Sequence, residues 1–201
     1  MQFSILEKYL LFYTFKIAQM LQPDFTIFPE INTERLYLRS LTKADGPEIL
    51  KLRSDEQVMQ FIDKERAKTI EDAELFINRA SLALNTNDGI TWAIALKAEP
   101  GTLIGTIGLW RIIKEHYRAE IGYMLNPAYW RKGIMLEALL TVVGFGFTEI
   151  KLHSIEAHIN PDNDGSAAIL NKAGFVKEAH FKEDFYFNGS FRDTAIYSRL
   201  Q

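Results

Sequence analysis

The chain has no cysteine among its 201 residues. That excludes disulfides, thiolate metal sites and a cysteine nucleophile. It is compatible with the cytoplasm, the compartment we expect. There is also no large excess of either charge: 23 basic against 26 acidic residues leave a net charge of -3. No basic field recommends nucleic acid as a direct partner, and the slight acidity leans toward a cationic or amine substrate. A long uncharged apolar run is missing too. The most apolar stretch, residues 1–21, is interrupted by Glu7, Lys8 and Lys16, so no membrane span is expected. It lacks the basic leader and small-residue cleavage site of an export signal, and as a membrane-surface helix it lacks a basic face. We read residues 1–27 as an apolar helical arm that packs on the domain or on a second copy, which leaves a homodimer open. A start at Met20 would remove most of that arm. Nor is there an internal repeat or a low-complexity linker.

What is present is ordinary for a globular protein: 47% apolar and 24% charged residues. Residues 28–201 fit one domain. Leu36–Arg39 reads as a short strand. Thr42 to Asp45 has capping-box spacing, and Pro47 follows in a first helical turn. Residues 55–68 are polar and mixed, a loop or broken helix. Thr69 reads as an N-cap, and Ile70, Ala73, Phe76, Ile77, Ala80 and Leu84 share a face, predicting a helix over 69–85. Three closely spaced strands, 91–96, 102–110 and 118–125, predict an antiparallel meander. A helix over 134–150 follows, with Leu136, Leu139, Leu140, Val143 and Phe147 as its buried stripe. Next come a strand over 154–160, a short helix over 165–173 stopped by Gly174, and a closing hairpin of 175–181 and 191–200 turned at Asn188-Gly189. The fold class is α/β (α+β): one domain, a mixed but mostly antiparallel central sheet, helices on both faces.

The most informative stretch is Trp130-Arg131-Lys132-Gly133-Ile134-Met135, set between a strand and an apolar helix. Strand, basic glycine turn and helix together aim backbone N–H groups and the positive end of a helix dipole at one spot. Gly133 permits close approach of backbone, and Arg131 and Lys132 add charge suited to phosphate. The pattern is neither of the standard dinucleotide and P-loop glycine motifs. Taken alone, it is also consistent with an ordinary surface turn.

Its surroundings narrow the choice. The order is Ala119-Glu120-Ile121-Gly122-Tyr123-Met124-Leu125, the basic glycine turn, a helix, a strand, Asn160-Pro161-Asp162-Asn163-Asp164-Gly165-Ser166, then Asn171-Lys172-Ala173-Gly174-Phe175. With Asn32-Thr33-Glu34-Arg35-Leu36-Tyr37-Leu38-Arg39 near the start, and Asn188-Gly189 through Asp193 near the end, this resembles the GNAT N-acetyltransferase superfamily. Within it the chain is similar to the branch of ribosomal-protein N-terminal acetyltransferases (RimJ/RimL-like), over about residues 28–200.

The resemblance implies transfer of an acetyl group from acetyl-coenzyme A to a primary amine, with no metal. It places the cofactor diphosphate on the N–H groups of Arg131, Lys132, Gly133, Ile134, Met135 and Leu136. The pantetheine arm would run beside Tyr123, Met124 and Leu125, with Asn160 and Asn163 on the following loop. Ser166 matches the residue near the thioester sulfur. Met135 is bulkier than the small residue usual there, and Leu170 stands where many relatives carry a general-acid tyrosine, so tyrosine-based acid catalysis does not carry over.

Acyl-transfer chemistry adds roles. An α-amine with a pKa near ~8, or a lysine amine near ~10, must lose a proton before it attacks. Glu120 is the candidate base through water, and Ser166 the candidate donor to the leaving sulfur. A backbone N–H near Met124 or Leu125 would meet the oxyanion. Each residue also has a plainer reading: Glu120 as an ion-pair partner of Arg118 or of another strand, Ser166 as a helix-start residue, Asn163 as a turn residue. Glu156, His158 and Asn160 either line the amine site or form a solvated face. His153 and His158 fall on opposite strand faces, and His116 and His180 have no partner in sequence, so no metal site is expected. Trp92 and Trp110 read as core. The acceptor is expected to be a protein or peptide N-terminus. A small amine such as an amino acid, polyamine or antibiotic is the alternative, as is a non-catalytic acyl-coenzyme A-binding module. Segments 55–68 and 111–118 and the closing hairpin would set the choice.

Overall fold

Two threonine caps start the helical face of the molecule. Asp45 accepts hydrogen bonds from the Thr42 N–H (2.8 Å) and hydroxyl (3.1 Å). A 3-10 turn over Lys43–Asp45 then leads into α1 (Gly46–Ser54), with Pro47 in its first turn. Thr69 does the same for α3 (Ile70–Asn85): its N–H donates to Asp72 at 3.1 Å. Between them the mixed segment forms a single-turn helix, α2 (Glu56–Met59), capped by Asp55. The remaining helices are α4 (Ile134–Thr148) and α5 (Asp164–Lys172). The computed structural model describes residues 20–201.

The strands are β1 (Ile31–Asn32), β2 (Leu36–Ser40), β3 (Ile90–Leu96), β4 (Gly105–Ile113), β5 (Arg118–Leu125), β6 (Ser154–Ile159), β7 (Val176–Phe187) and β8 (Ser190–Leu200). They make one sheet in the order β1-β2-β3-β4-β5-β6-β8-β7. Every neighbouring pair is antiparallel except β5 and β6, which α4 joins as a crossover. α4 and α5 cover one face over Trp92, Leu109, Ile121, Leu139 and Ile155. α1, α2 and α3 cover the other over Ala93, Ile49, Ala73, Ile77 and Met124. The mixed sheet with helices on both faces matches the expected class.

Several boundaries differ from the sequence reading. β4 begins at Gly105 and runs to Ile113; Leu103 and Ile104 are buried without belonging to it. The closing hairpin is longer than expected, with Asn188 (φ 52°) and Gly189 (φ 84°) at its turn. On α4 the buried residues are Ile134, Met135, Ala138, Leu139, Val142, Val143, Gly146 and Phe147. Leu140, expected inside, is 44% exposed. Glu137, Thr141 and Thr148 share the outward face, and Leu140 lies beside them. Gly146 faces the sheet, where an added Cβ would lie 2.8 Å from Ile155 Cδ1; Gly144 faces open space.

The expected arm falls largely on residues 1–19, outside the described residues. Residues 20–27 are irregular rather than helical, with Leu21 and Phe25 buried in the main core. No helix among the described residues is long and apolar enough to cross a membrane.

Candidate functional site

The sheet opens at its centre. β5 pairs with β4 along its length, from Gly105↔Leu125 to Trp110↔Glu120 and beyond a bulge to Arg118. With β6 it pairs only over Arg118↔Ser154, Ala119↔Ile155 and Glu120↔Glu156. Past Glu120 the edge of β5 that faces β6 has no ladder partner through Leu125. An unpaired edge of this kind is a template for an extended ligand carrying amide groups. It lies at the carboxyl ends of the two parallel strands, where crossover folds characteristically hold ligands.

The glycine turn closes one end of this opening. Asn126 starts it, its side chain accepting from Ala128 N–H at 3.0 Å. Trp130 ties the turn back to the strand, its indole N–H donating to Leu125 O at 2.8 Å. Arg131 (φ 59°) and Gly133 (φ 74°) are both left-handed, a geometry that gathers successive N–H groups into an anion-binding concavity. Among the described residues no acceptor meets the N–H groups of residues 131–136; the first helical bond runs from Glu137 N–H to Gly133 O. Arg131, Lys132 and Gly133 are exposed, while the side chains of Ile134 and Met135 are buried and that of Leu136 is half-buried. The bulk of Met135 therefore enters the core and not the concavity. Lys132 Nζ stands 5.6 Å from the Tyr129 ring centroid.

A brace that sequence reasoning missed holds this turn from behind. The Arg35 guanidinium donates to Lys132 O at 2.9 Å and to Glu137 at 2.6 Å, and Glu137 also accepts from the Thr33 hydroxyl and the Arg35 N–H. Burial pushes the Glu137 carboxyl up, but these donors outweigh it and hold it below the usual range. Its signal in the sequence was the Thr33-Glu34-Arg35 motif itself, whose partner is too distant in the chain to be read.

The other side of the opening is built by the loop into α5. Asn160 accepts from Asp162 N–H at 2.9 Å, so its side-chain oxygen is committed to a turn. Asn163 is the N-cap of α5 and accepts from Ser166 N–H at 3.0 Å. Its side-chain amide remains available to a ligand. Tyr123 projects from β5 toward the same face, packed against the main core. Its hydroxyl is buried with no hydrogen bond closed on it. Burial pushes the phenol up to about 12, an effect that the facing Ser166 hydroxyl only partly offsets.

Glu120 lies on the opposite face, that of α1–α3, because alternate residues of β5 point to opposite sides. It is paired with Arg111 across the β4 bulge at 2.9 Å and is 18% exposed. Arg118 is bound instead to Glu156, whose other oxygen lies 3.4 Å from His158. Trp110 is half-buried beside Glu120 rather than core: its ring covers Gly122, where a Cβ would sit 2.7 Å from the indole. Trp92 is fully buried. His180, without a partner in sequence, faces Asp193 at 2.7 Å. Among the described residues no group of three or more acidic or histidine side chains is placed to hold a metal.

Comparison with known proteins adds to this geometry. Residues 35–176 match the acetyltransferase (GNAT) domain family. The chain is 36% identical over 172 residues to the uncharacterised N-acetyltransferase YoaA of Bacillus subtilis strain 168, covering 86% of this chain and 97% of that one. It is similar to the spermidine N-acetyltransferase of Vibrio cholerae solved with coenzyme A and spermine: TM-score 0.74, 25% identity, 84% of this chain and 97% of that one. The fold also matches RimL, a ribosomal α-N-protein acetyltransferase solved with coenzyme A, at TM-score 0.78 and 20% identity over 86% of this chain and 98% of that one.

Proposed function

Since this chain belongs to the GNAT acetyltransferase family and is an N-acetyltransferase, we propose that it takes its acetyl group from acetyl-coenzyme A and delivers it to the α-amine of a protein or peptide N-terminus. The observation that carries the cofactor reading is the row of unpartnered N–H groups from Arg131 to Leu136 beside the open edge of β5. In this reading the diphosphate rests on that row, with Arg131 and Lys132 supplying charge. The pantetheine amides extend the sheet along Tyr123, Met124 and Leu125, and the amide of Asn163 bonds the arm from the far side, with Asn160 shaping the loop. The thioester then lies in the gap between β5 and β6.

The two faces of the sheet divide the work. The amine enters on the Glu120 face, loses its proton to Glu120 through water, and attacks the carbonyl carbon. A β5 N–H near Met124 or Leu125 meets the developing oxyanion, an effect worth about 3–4 kcal/mol. The sulfur departs on the opposite face, toward Ser166. Holding both reactants in the gap supplies much of the rate without a covalent enzyme intermediate.

Charge bookkeeping on the acceptor face supports an α-amine. Glu120 and Glu156 are each matched by an arginine, Arg111 and Arg118. A polycation needs several uncompensated carboxylates, whereas one α-amine needs only one acceptor. Deprotonating an α-amine of pKa near ~8 at neutral pH costs about 1.4 kcal/mol, against more than ~4 kcal/mol for an alkyl amine near ~10.4. A single carboxylate base, Glu120, is suited to the first.

The test is calorimetric titration with coenzyme A, followed by thiol release with a panel of peptides bearing free N-termini, the same peptides N-terminally blocked, and spermidine. Release is expected with free peptides and not with blocked ones, with kcat/KM for spermidine at least about tenfold lower. A preference for spermidine overturns the acceptor assignment. Binding without release across the panel overturns the transfer reading.

A further inference from the structure

We propose that Tyr123 is a positioning residue for the leaving group: its buried hydroxyl donates to Ser166 Oγ and so turns the Ser166 hydroxyl hydrogen onto the departing sulfur. This rests on the acetyl-transfer reading above and deepens it. Among the described residues Tyr123 Oη is the buried side-chain polar atom that finds no hydrogen-bond partner. Buried polar groups are almost always satisfied, and one that is not calls for an absent partner or a task.

Its place in the fold specifies the task. Tyr123 stands in the middle of the stretch of β5 that has lost its β6 partner, on the face covered by α4 and α5. The polar side chain that bears on it is Ser166, in the first turn of α5. Ser166 is itself held: its N–H is bonded to Asn163 Oδ1 at 3.0 Å, which fixes the turn and leaves the hydroxyl free to rotate. Two hydroxyls thus neighbour each other beside the open edge of β5, without a closed hydrogen bond between them. Bonds of this kind are commonly long in the free enzyme and tighten when the reactants bind.

Burial raises the phenol to about 12, so Tyr123 keeps its proton throughout the working range and has it to donate to Ser166 Oγ, which leaves the Ser166 hydrogen for the sulfur. A thiol, near ~8.5, is much the stronger acid. Transfer of a proton from Tyr123 or Ser166 to the leaving sulfur is therefore uphill, and the pair stabilises a thiolate by hydrogen bonding rather than by protonating it. In the step, the amine nitrogen bonds to the acetyl carbon and the carbon–sulfur bond breaks. Sulfur keeps the electron pair. The first proton of the ammonium passes through water to Glu120 and on to solvent before attack; the second leaves the attacked nitrogen by the same route as the carbon–sulfur bond breaks, and the thiolate takes one from solvent after release.

Tyr123→Phe removes only the hydroxyl and relieves a buried unpaired group, so the variant is expected to fold with unchanged or raised thermal stability and to bind coenzyme A as before. Its kcat on the best peptide is expected to fall about 10–100-fold with KM for acetyl-coenzyme A within about twofold, as expected of an interaction made only in the transition state. Ser166→Ala should fall at least as far, and the double variant no further than Ser166→Ala alone, because Tyr123 acts through Ser166. Two side chains in contact can couple through structure alone, but a merely structural role would not respond to the leaving group: with acetyl-seleno-coenzyme A, whose selenolate needs less stabilisation, the Tyr123→Phe deficit should shrink. Should Tyr123→Phe fail to fold, 3-fluorotyrosine at 123 keeps the shape, and its more acidic phenol, a stronger donor to Ser166 Oγ, should change kcat while KM for acetyl-coenzyme A stays within about twofold; an unchanged kcat overturns the pair. Wild-type kcat in Tyr123→Phe, or independent losses that multiply in the double variant, overturns this inference alone. A wild-type protein that releases no thiol with any amine overturns the transfer reading and the pair with it.

Discussion

Arg35 and Glu137, 102 residues apart in the chain, hold one another through two hydrogen bonds: Arg35 Nε to Glu137 Oε2 at 2.6 Å and Arg35 N–H to Glu137 Oε1 at 2.9 Å. The same guanidinium turns Lys132 O inward at 2.9 Å. A turn whose carbonyl is pinned behind it presents its N–H groups in front. Arg35 thus shapes the concavity although its side chain is 44% exposed, and as an exposed ion pair it adds little stability of its own.

From this brace, Arg35→Ala is expected to raise the Kd for coenzyme A about tenfold, or ~1.4 kcal/mol. Melting temperature should barely move, and kcat at saturating acetyl-coenzyme A should stay near wild type. Calorimetry and saturation kinetics read the three separately. Unchanged affinity would mean that the turn holds its shape without the brace.

Gly133 gives a sharper test. At φ 74° an L side chain costs about 1–2 kcal/mol, and its Cβ would stand 3.4 Å from Arg35 Nη2. Gly133→Val is expected to lose coenzyme A binding while unfolding cooperatively at a denaturant midpoint only slightly below wild type. Retained affinity would remove the diphosphate from this turn.

These two residues mark what the sequence disclosed and what it hid. Local signals transferred well. The caps at Thr42 and Thr69 are read from residues three apart, the Asn188-Gly189 turn from two adjacent residues, and the glycine turn from one short motif between a strand and a helix. Contacts between distant segments did not transfer. Nothing near Arg35 names Glu137 or Lys132 as its partner, and nothing near Glu120 names Arg111, which meets it only because β4 bulges. The rotation of α4 was hidden for another reason: the helix is apolar apart from Glu137, Thr141 and Thr148, so Leu140 beside them reads as core until the sheet is in place. The unpaired edge beyond Glu120 was likewise invisible, since strand patterning says where a strand runs and not where its neighbour leaves it.

Glu120 is expected to act on the amine rather than on the cofactor. Glu120→Gln should lower kcat about 100-fold near neutral pH and leave the affinity for coenzyme A unchanged. The deficit should narrow as pH rises past ~8, where an α-amine is already unprotonated. A pH series of kcat for both proteins checks this. A deficit constant from pH 6.5 to 9.5 would assign Glu120 to its ion pair with Arg111 and not to proton removal.

Arg39 and Asp45 supply a prediction about stability with a definite sign. The guanidinium is bidentate on the carboxylate, at 2.9 and 2.6 Å, with side-chain exposures of 13% and 3%. Burial by itself would raise the Asp45 pKa, but the hydrogen bonds from Arg39 and Thr42 outweigh it and hold it below the usual range. A depressed carboxylate contributes stability that is complete above its unfolded pKa of ~3.9 and is lost as pH falls through the lower folded value. Wild-type stability should therefore owe nothing to the titration of this group between pH 7 and 5, and should decline below about 4. In Arg39→Met the charge stays buried without its partner, which costs about 3–5 kcal/mol at neutral pH. Burial then dominates, the folded pKa rises above the unfolded one, and the folded state binds the extra proton. The variant should regain stability as pH falls from 7 toward 5, the reverse of the wild-type trend in acid. Urea unfolding at pH 7, 6 and 5 measures the slope. A variant with a flat profile would show that the Asp45 carboxylate reaches solvent or another donor once Arg39 is gone.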